Sequence, residues 1–124
     1  MPDVSYIRIC NDRSGRTCFD DTATEVVETR YAPPAEPLFT SEAQGAAKTL
    51  FLQLPIGWIG EWHPTPVRQW LIILSGTCTF EVESGEIRDV GAGDAILLDD
   101  LSGKGHRTVV TGDAPVNIAA VHLT

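Results

Sequence analysis

Turn-forming residues interrupt this chain too often for helices to fit between them. Pro55 with Gly57, Pro64 with Pro66, Ser75-Gly76, Ser84-Gly85, Gly91 to Asp94, Ser102 to Gly105 and Gly112 to Pro115 follow one another every 8 to 12 residues. A globular helix needs about 10–12 uninterrupted residues, whereas a strand needs about 4–8. The intervening runs are short and apolar or alternating: Thr49 to Leu54, Gln69 to Leu74, Thr77 to Glu83, Glu86 to Val90, Ala95 to Leu98, His106 to Thr111 and Val116 to Leu123. Short strands at that spacing predict an all-β sandwich or barrel. Ser84-Gly85, flanked by two such runs, predicts a tight hairpin. Tyr6 to Ile9 and Thr24 to Thr29 are expected to add edge strands, and Ser41 with Gln44 could cap one helical turn that Gly45 would stop.

The length of 124 residues fits one domain. Pro33, Pro34 and Pro37 make the densest break. Each proline fixes its own φ and disfavours helix before it, so the stretch is expected to be an extended connector. The expected organisation is an extension over residues 1–45, packing on the barrel or on a dimer partner, and a barrel over 46–124. Seventeen acidic residues against nine basic ones give a net charge of −8. That field repels phosphate backbones and anionic membrane surfaces, so neither nucleic acid nor membrane is an expected partner. No apolar run approaches the length of a membrane span. Residues 1–10 lack a basic segment followed by an apolar one, so a cytoplasmic location is expected. Cys10, Cys18 and Cys78 are odd in number and have no metal-type spacing; reduced thiols are expected.

Three polar residues stand where this pattern places strand interiors. His63 closes Trp58-Ile-Gly-Glu-Trp-His63, Gln69 opens the apolar run to Leu74, and His106 follows a glycine loop. Side chains of one parity share a face of a strand. Gln69, Leu71 and Ile73 form one such set, His106, Thr108 and Val110 another, and Glu61, His63 and Thr65 a third. If these faces converge, two imidazoles, an amide and a carboxylate meet in an apolar shell, which is the usual setting of a ligand site.

The stretch His63-Pro-Thr-Pro-Val-Arg-Gln69-Trp-Leu-Ile-Ile-Leu-Ser-Gly76 resembles the first motif of the cupin superfamily, in which two His, a Glu and a Gly recur at set spacing. His63 matches the first His, Gln69 stands at the Glu position, Thr65 at the second His position, and Gly76 follows six residues after Gln69. Gly93-Asp94 and His106 resemble the second motif. The resemblance covers roughly residues 50 to 123. It implies a double-sheet jelly-roll barrel, a homodimer, and a site in the barrel mouth for a small organic molecule. It also implies a divalent metal (Fe, Mn, Ni or Zn) held by His63, His106 and Gln69. The amide brings no charge, so weak binding or none is expected, unless Glu61 supplies the missing carboxylate.

Other polar or aromatic residues have simpler readings. His122 is expected on the surface or hydrogen-bonded, Trp58, Trp62 and Trp70 in the core or an interface, and Arg68 in a salt bridge. Cys78 is expected to pack beside Phe80 and Val82. Ser102-Gly-Lys-Gly lacks phosphate-loop spacing and is expected to be a glycine turn. Three functions remain open. One is an enzyme of dioxygenase, isomerase or lyase type, with His63, His106 and Gln69 as catalytic groups, either through a metal or by proton transfer on imidazole. The others are a non-catalytic ligand-binding or sensing module, and a barrel whose polar cluster is purely structural.

Overall fold

Two β-sheets face each other across one apolar core in the computed structural model, which describes residues 2–124. The larger sheet has six strands in the order β2 (Thr17–Glu25), β1 (Asp3–Asn11), β10 (Ala95–Asp99), β7 (Gln69–Ser75), β12 (Val116–Leu123) and β5 (Ala46–Leu54). The smaller has four: β6 (Ile59–His63), β11 (His106–Val110), β8 (Cys78–Glu81) and β9 (Ile87–Val90). All pairings within them are antiparallel except β1 with β10. There is no helix among the described residues, and so none long and apolar enough to cross a membrane. The molecule is all-β, as the turn spacing predicts, and its two facing sheets make the jelly-roll barrel that the motif resemblance implies.

Period-two alternation builds the core. In β7, Gln69, Leu71 and Ile73 are buried while Trp70 and Ile72 between them are only partly covered. Ile96, Leu98, Ile118 and Ala120 add to this wall, and Cys78, Phe80, Val90 and Val110 close it from the smaller sheet. Each Val, Leu, Ile or Phe among them contributes roughly 1.5–3 kcal/mol by leaving water. Cys78 lies inside with Phe80 and Val82. The Ser84-Gly85 hairpin forms as expected, with Val82 and Glu86 closing it and Gly85 in the left-handed region (φ 89°).

The N-terminal third is organised differently from its proline pattern. Residues 3–25 enlarge the large sheet, with Ile9 and Thr17 buried in it. The prolines do not make an extended connector. They form the turn between β3 (Val27–Thr29) and β4 (Leu38–Thr40), tightened by the Ala35 N–H donating to the Ala32 carbonyl. Chain reversal suits the fixed φ of proline as well as extension does. This small hairpin keeps Val27, Tyr31, Leu38 and Phe39 exposed. Ser41 and Gln44 start no helix; the Gln44 amide oxygen instead accepts from the Trp70 indole N–H at 2.6 Å.

Candidate functional site

One end of the barrel holds a cavity of about 210 Å³. Leu52, Leu54, Trp58, Leu71, Phe80, Leu98 and Ile118 give it an apolar wall, and His63, Thr65, Gln69, His106 and Thr108 supply its polar groups. That is the space of about seven waters, too small for a drug-sized ligand. Three strand ends deliver the polar side chains. His63 ends β6, Gln69 begins β7 and His106 begins β11. His63 and His106 are register partners, with ring centroids 5.0 Å apart.

Strand parity alone does not bring His63 here. His106 pairs with His63 and Thr108 with Gly60, so Glu61 and Trp62 together stand opposite the single residue Arg107. A β-bulge of this kind reverses the facing of everything beyond it. His63 therefore lines the cavity with His106, whereas Glu61 is thrown to the outer surface, 78% exposed, where its carboxylate accepts from Arg107 Nε at 3.0 Å. The expectation that Glu61 shares the pocket with His63 is corrected by that extra residue. Two glycines make room nearby. The Trp58 ring lies where a Cβ on Gly60 would be, and the His63 carbonyl lies where a Cβ on Gly105 would be.

Both imidazoles are pinned through Nδ1. His63 Nδ1 lies 2.6 Å from the Glu61 carbonyl, which can only accept, so this nitrogen carries the proton. His106 Nδ1 lies 2.7 Å from Asp100 Oδ2, and both residues are almost fully buried. In each ring Nε2 is the atom left for the cavity. Asp100 Oδ1 is buried with no hydrogen-bond partner among the described residues. Gln69 is oriented by a short relay. Thr65 Oγ1 donates its one proton to the Val67 carbonyl at 2.6 Å, so it must accept from Gln69 Nε2, at 3.1 Å. The amide oxygen and the second amide hydrogen of Gln69 thus remain for a ligand.

The structure brings together His63, Gln69, His106 and Thr65. It adds Asp100, which strand parity does not reveal. The available signal is a carboxylate closing the apolar strand β10, with a glycine loop carrying the chain back to His106 six residues later. His122 is partly buried on β12. Trp62 lies under Lys104 Nζ, 4.2 Å from the ring centroid. Arg68 pairs with Asp99 at 3.2 Å.

Two imidazole nitrogens, an amide oxygen and a hydroxyl are all neutral, Glu61 faces away, and Asp100 lies behind the His106 ring. Among the described residues, no group of three His, Cys, Asp or Glu side chains could hold a metal. With only two imidazoles and no carboxylate or thiolate facing the cavity, this set falls short of the three strong protein ligands that hold a resident ion tightly.

A family described as "Cupin domain" matches residues 50–122. Among curated proteins, none matches the chain. Among solved structures, the cupin domain of Schizosaccharomyces pombe Cnp3 is similar at 9% identity with a TM-score of 0.50, over 100% of this chain and 85% of that one. A conserved protein of unknown function from Streptococcus pyogenes is similar at 18% identity with a TM-score of 0.46, over 68% of this chain and 69% of that one. At these identities the likeness concerns the fold.

Proposed function

This chain belongs to the cupin domain family, and from that premise we propose that its barrel mouth binds a small, largely apolar organic molecule with a carbonyl or carboxylate and moves a proton on it. The observation that carries this reading is the pair of imidazoles, each held by Nδ1 with Nε2 left for the cavity, one of them braced by a buried carboxylate. Such bracing fixes the tautomer of a general base and stabilises the imidazolium that forms when it takes a proton. His106 is the base in this reading. His63, across the cavity, returns a proton or holds the ligand. The free amide hydrogen of Gln69 donates to the ligand's oxygen, favouring an enolate-like state. The reaction class is isomerisation or elimination. His106 is 3% exposed and walled by apolar side chains, so a bound ligand would displace the cavity's water from around its Nε2.

A divalent ion would meet His63, His106 and Gln69 as neutral ligands only, and the reading needs none. The working form we propose is a homodimer formed through the outer face of the large sheet.

The test is a thermal-shift screen of small carbonyl and carboxylate compounds on chelator-treated protein, followed by NMR of the hits in D2O. The expected result is stabilisation by a hit and exchange of its acidic C–H for deuterium, lost in His106→Gln with binding retained. Binding without exchange or turnover would reduce the site to a ligand-capture module. No hit that depends on His63, Gln69 or His106 would remove the site altogether.

A further inference from the structure

We propose that Cys10 and Cys18 form a dithiol–disulfide site on the outer face of the large sheet, oxidised by a hydroperoxide and restored by a reducing thiol. Neither residue lines the cavity, and nothing in the proton-transfer reading uses them. β1 and β2 pair antiparallel with Cys10 directly opposite Cys18. Their Sγ atoms lie 3.8 Å apart. A disulfide requires about 2.05 Å between sulfurs and Cα atoms about 4.4–6.8 Å apart. Facing residues of an antiparallel ladder have Cα atoms about 4.5–5.5 Å apart, so rotation of the side chains closes the bond without moving the strands.

Position divides the work between the two sulfurs. Cys10 is buried, whereas Cys18 is partly open to solvent, so Cys18 meets the oxidant. Both share the face of Arg8, whose guanidinium favours the thiolate of Cys10. The opposing influence is burial, which together with the hydrogen bond to Cys18 pushes the Cys10 thiol up to about 11. Cys10 is therefore the resolving partner.

The Cys18 thiolate attacks the terminal oxygen of the hydroperoxide. The O–O bond breaks, the sulfur becomes a sulfenic acid, and the alkoxide leaves as an alcohol after taking a proton. The Cys10 sulfur then attacks the Cys18 sulfur. The S–S bond forms, the S–O bond breaks, and hydroxide leaves as water with the proton from Cys10. Two electrons pass from the thiols to the peroxide, and a dithiol reductant returns them. Cys78, fully buried among Phe80 and Val82, is the internal control.

The intact folded chain, reduced and then treated with hydrogen peroxide, is alkylated and digested with trypsin. Cleavage after Arg8, Arg13, Arg16 and Arg30 places the two cysteines on separate peptides, spanning 9–13 and 17–30. The expected product is those two peptides cross-linked, two hydrogens lighter than their sum and separated by dithiothreitol, with Cys78 unmodified. Cys10→Ser should leave a sulfenic acid on Cys18 that dimedone traps, and Cys18→Ser should lose the cross-link. Failure to recover the 10–18 cross-link, or disulfides mainly to Cys78 or between chains, would overturn the proposal. Neither result depends on what the cavity binds.

Discussion

His106 and Asp100 bury a hydrogen bond that neither could lose cheaply. Truncation in Asp100→Ala would leave the His106 Nδ1–H without an acceptor in a site closed to water, a loss of about 3 kcal/mol. The expected outcome is a lower urea midpoint with an unchanged slope; an unchanged midpoint would mean the pair contributes nothing. Gln69 makes the opposite case, because its amide leaves the cavity without a negative charge. Gln69→Glu would place a carboxylate beside two Nε2 atoms, and we expect Ni²⁺ or Zn²⁺ to bind at least about tenfold tighter, measured by calorimetry. No gain would show that residue 69 and the two imidazoles cannot share an ion. These two residues also differ in how they show in the sequence. Gln69 stands out as an amide in phase with Leu71 and Ile73. Asp100 does not, because a loop rather than a strand brings it to His106, and no periodicity reports a loop's path.

At the scale of elements, the strands were legible because alternation and turn residues are both local. Seven of the expected runs coincide with strands to within a few residues, from Thr49–Leu54 inside β5 to Val116–Leu123, which is β12. The facing of Glu61 was not legible, because a bulge is settled by the partner strand and leaves no mark on period two. The same bulged corner depends on Gly105, which has φ 84° and sits against the His63 carbonyl. Gly105→Ala would meet both obstacles, so we expect a loss of at least about 2 kcal/mol and a displaced His63. Thermal melting checks the first, and loss of ligand-induced shift the second. The two sheets are also tied at their edges, where Arg88 of β9 donates to both Asp21 oxygens of β2, at 2.7 and 2.8 Å. These hydrogen bonds hold the Asp21 carboxyl below its ordinary range. A depressed acid stabilises the fold above the unfolded carboxylate range and loses that contribution as pH falls through its own folded value. Asp21→Asn should therefore be less stable than the parent near pH 6, with the gap narrowing towards pH 3 in denaturant titrations. A gap independent of pH would count against the ion pair.

For the whole molecule, the outer face of the large sheet is where we propose that a second copy docks. Register places Ala95, Ile72, Ala119 and Phe51 in one row across four strands. Leu74 lies on the same face of β7 as Ile72, and Phe51 and Leu74 are 81% and 48% exposed. Over β7, β12 and β5 this face offers Trp70, Ile72, Leu74, Asn117, Ala119, Val121, Thr49, Phe51 and Gln53, with no charged side chain. On a chain of net charge −8, a copy is repelled wherever acidic surfaces meet, and an uncharged face is where it can approach. A two-fold axis through the row lets the same apolar patch cover itself, which satisfies both copies at once. A second copy of this chain is therefore the occupant we propose for the face, and the homodimer follows from it. Phe51→Glu would set two carboxylates against the partner's apolar row while leaving the core untouched, since Phe51 points away from Leu52 and Leu54. The expected result is a dimer for the parent at tens of micromolar in sedimentation velocity, and dissociation about a hundredfold easier for Phe51→Glu with unchanged circular dichroism. A monomeric parent, or a Phe51→Glu chain as dimeric as the parent, would show that the row is covered by something other than a second copy.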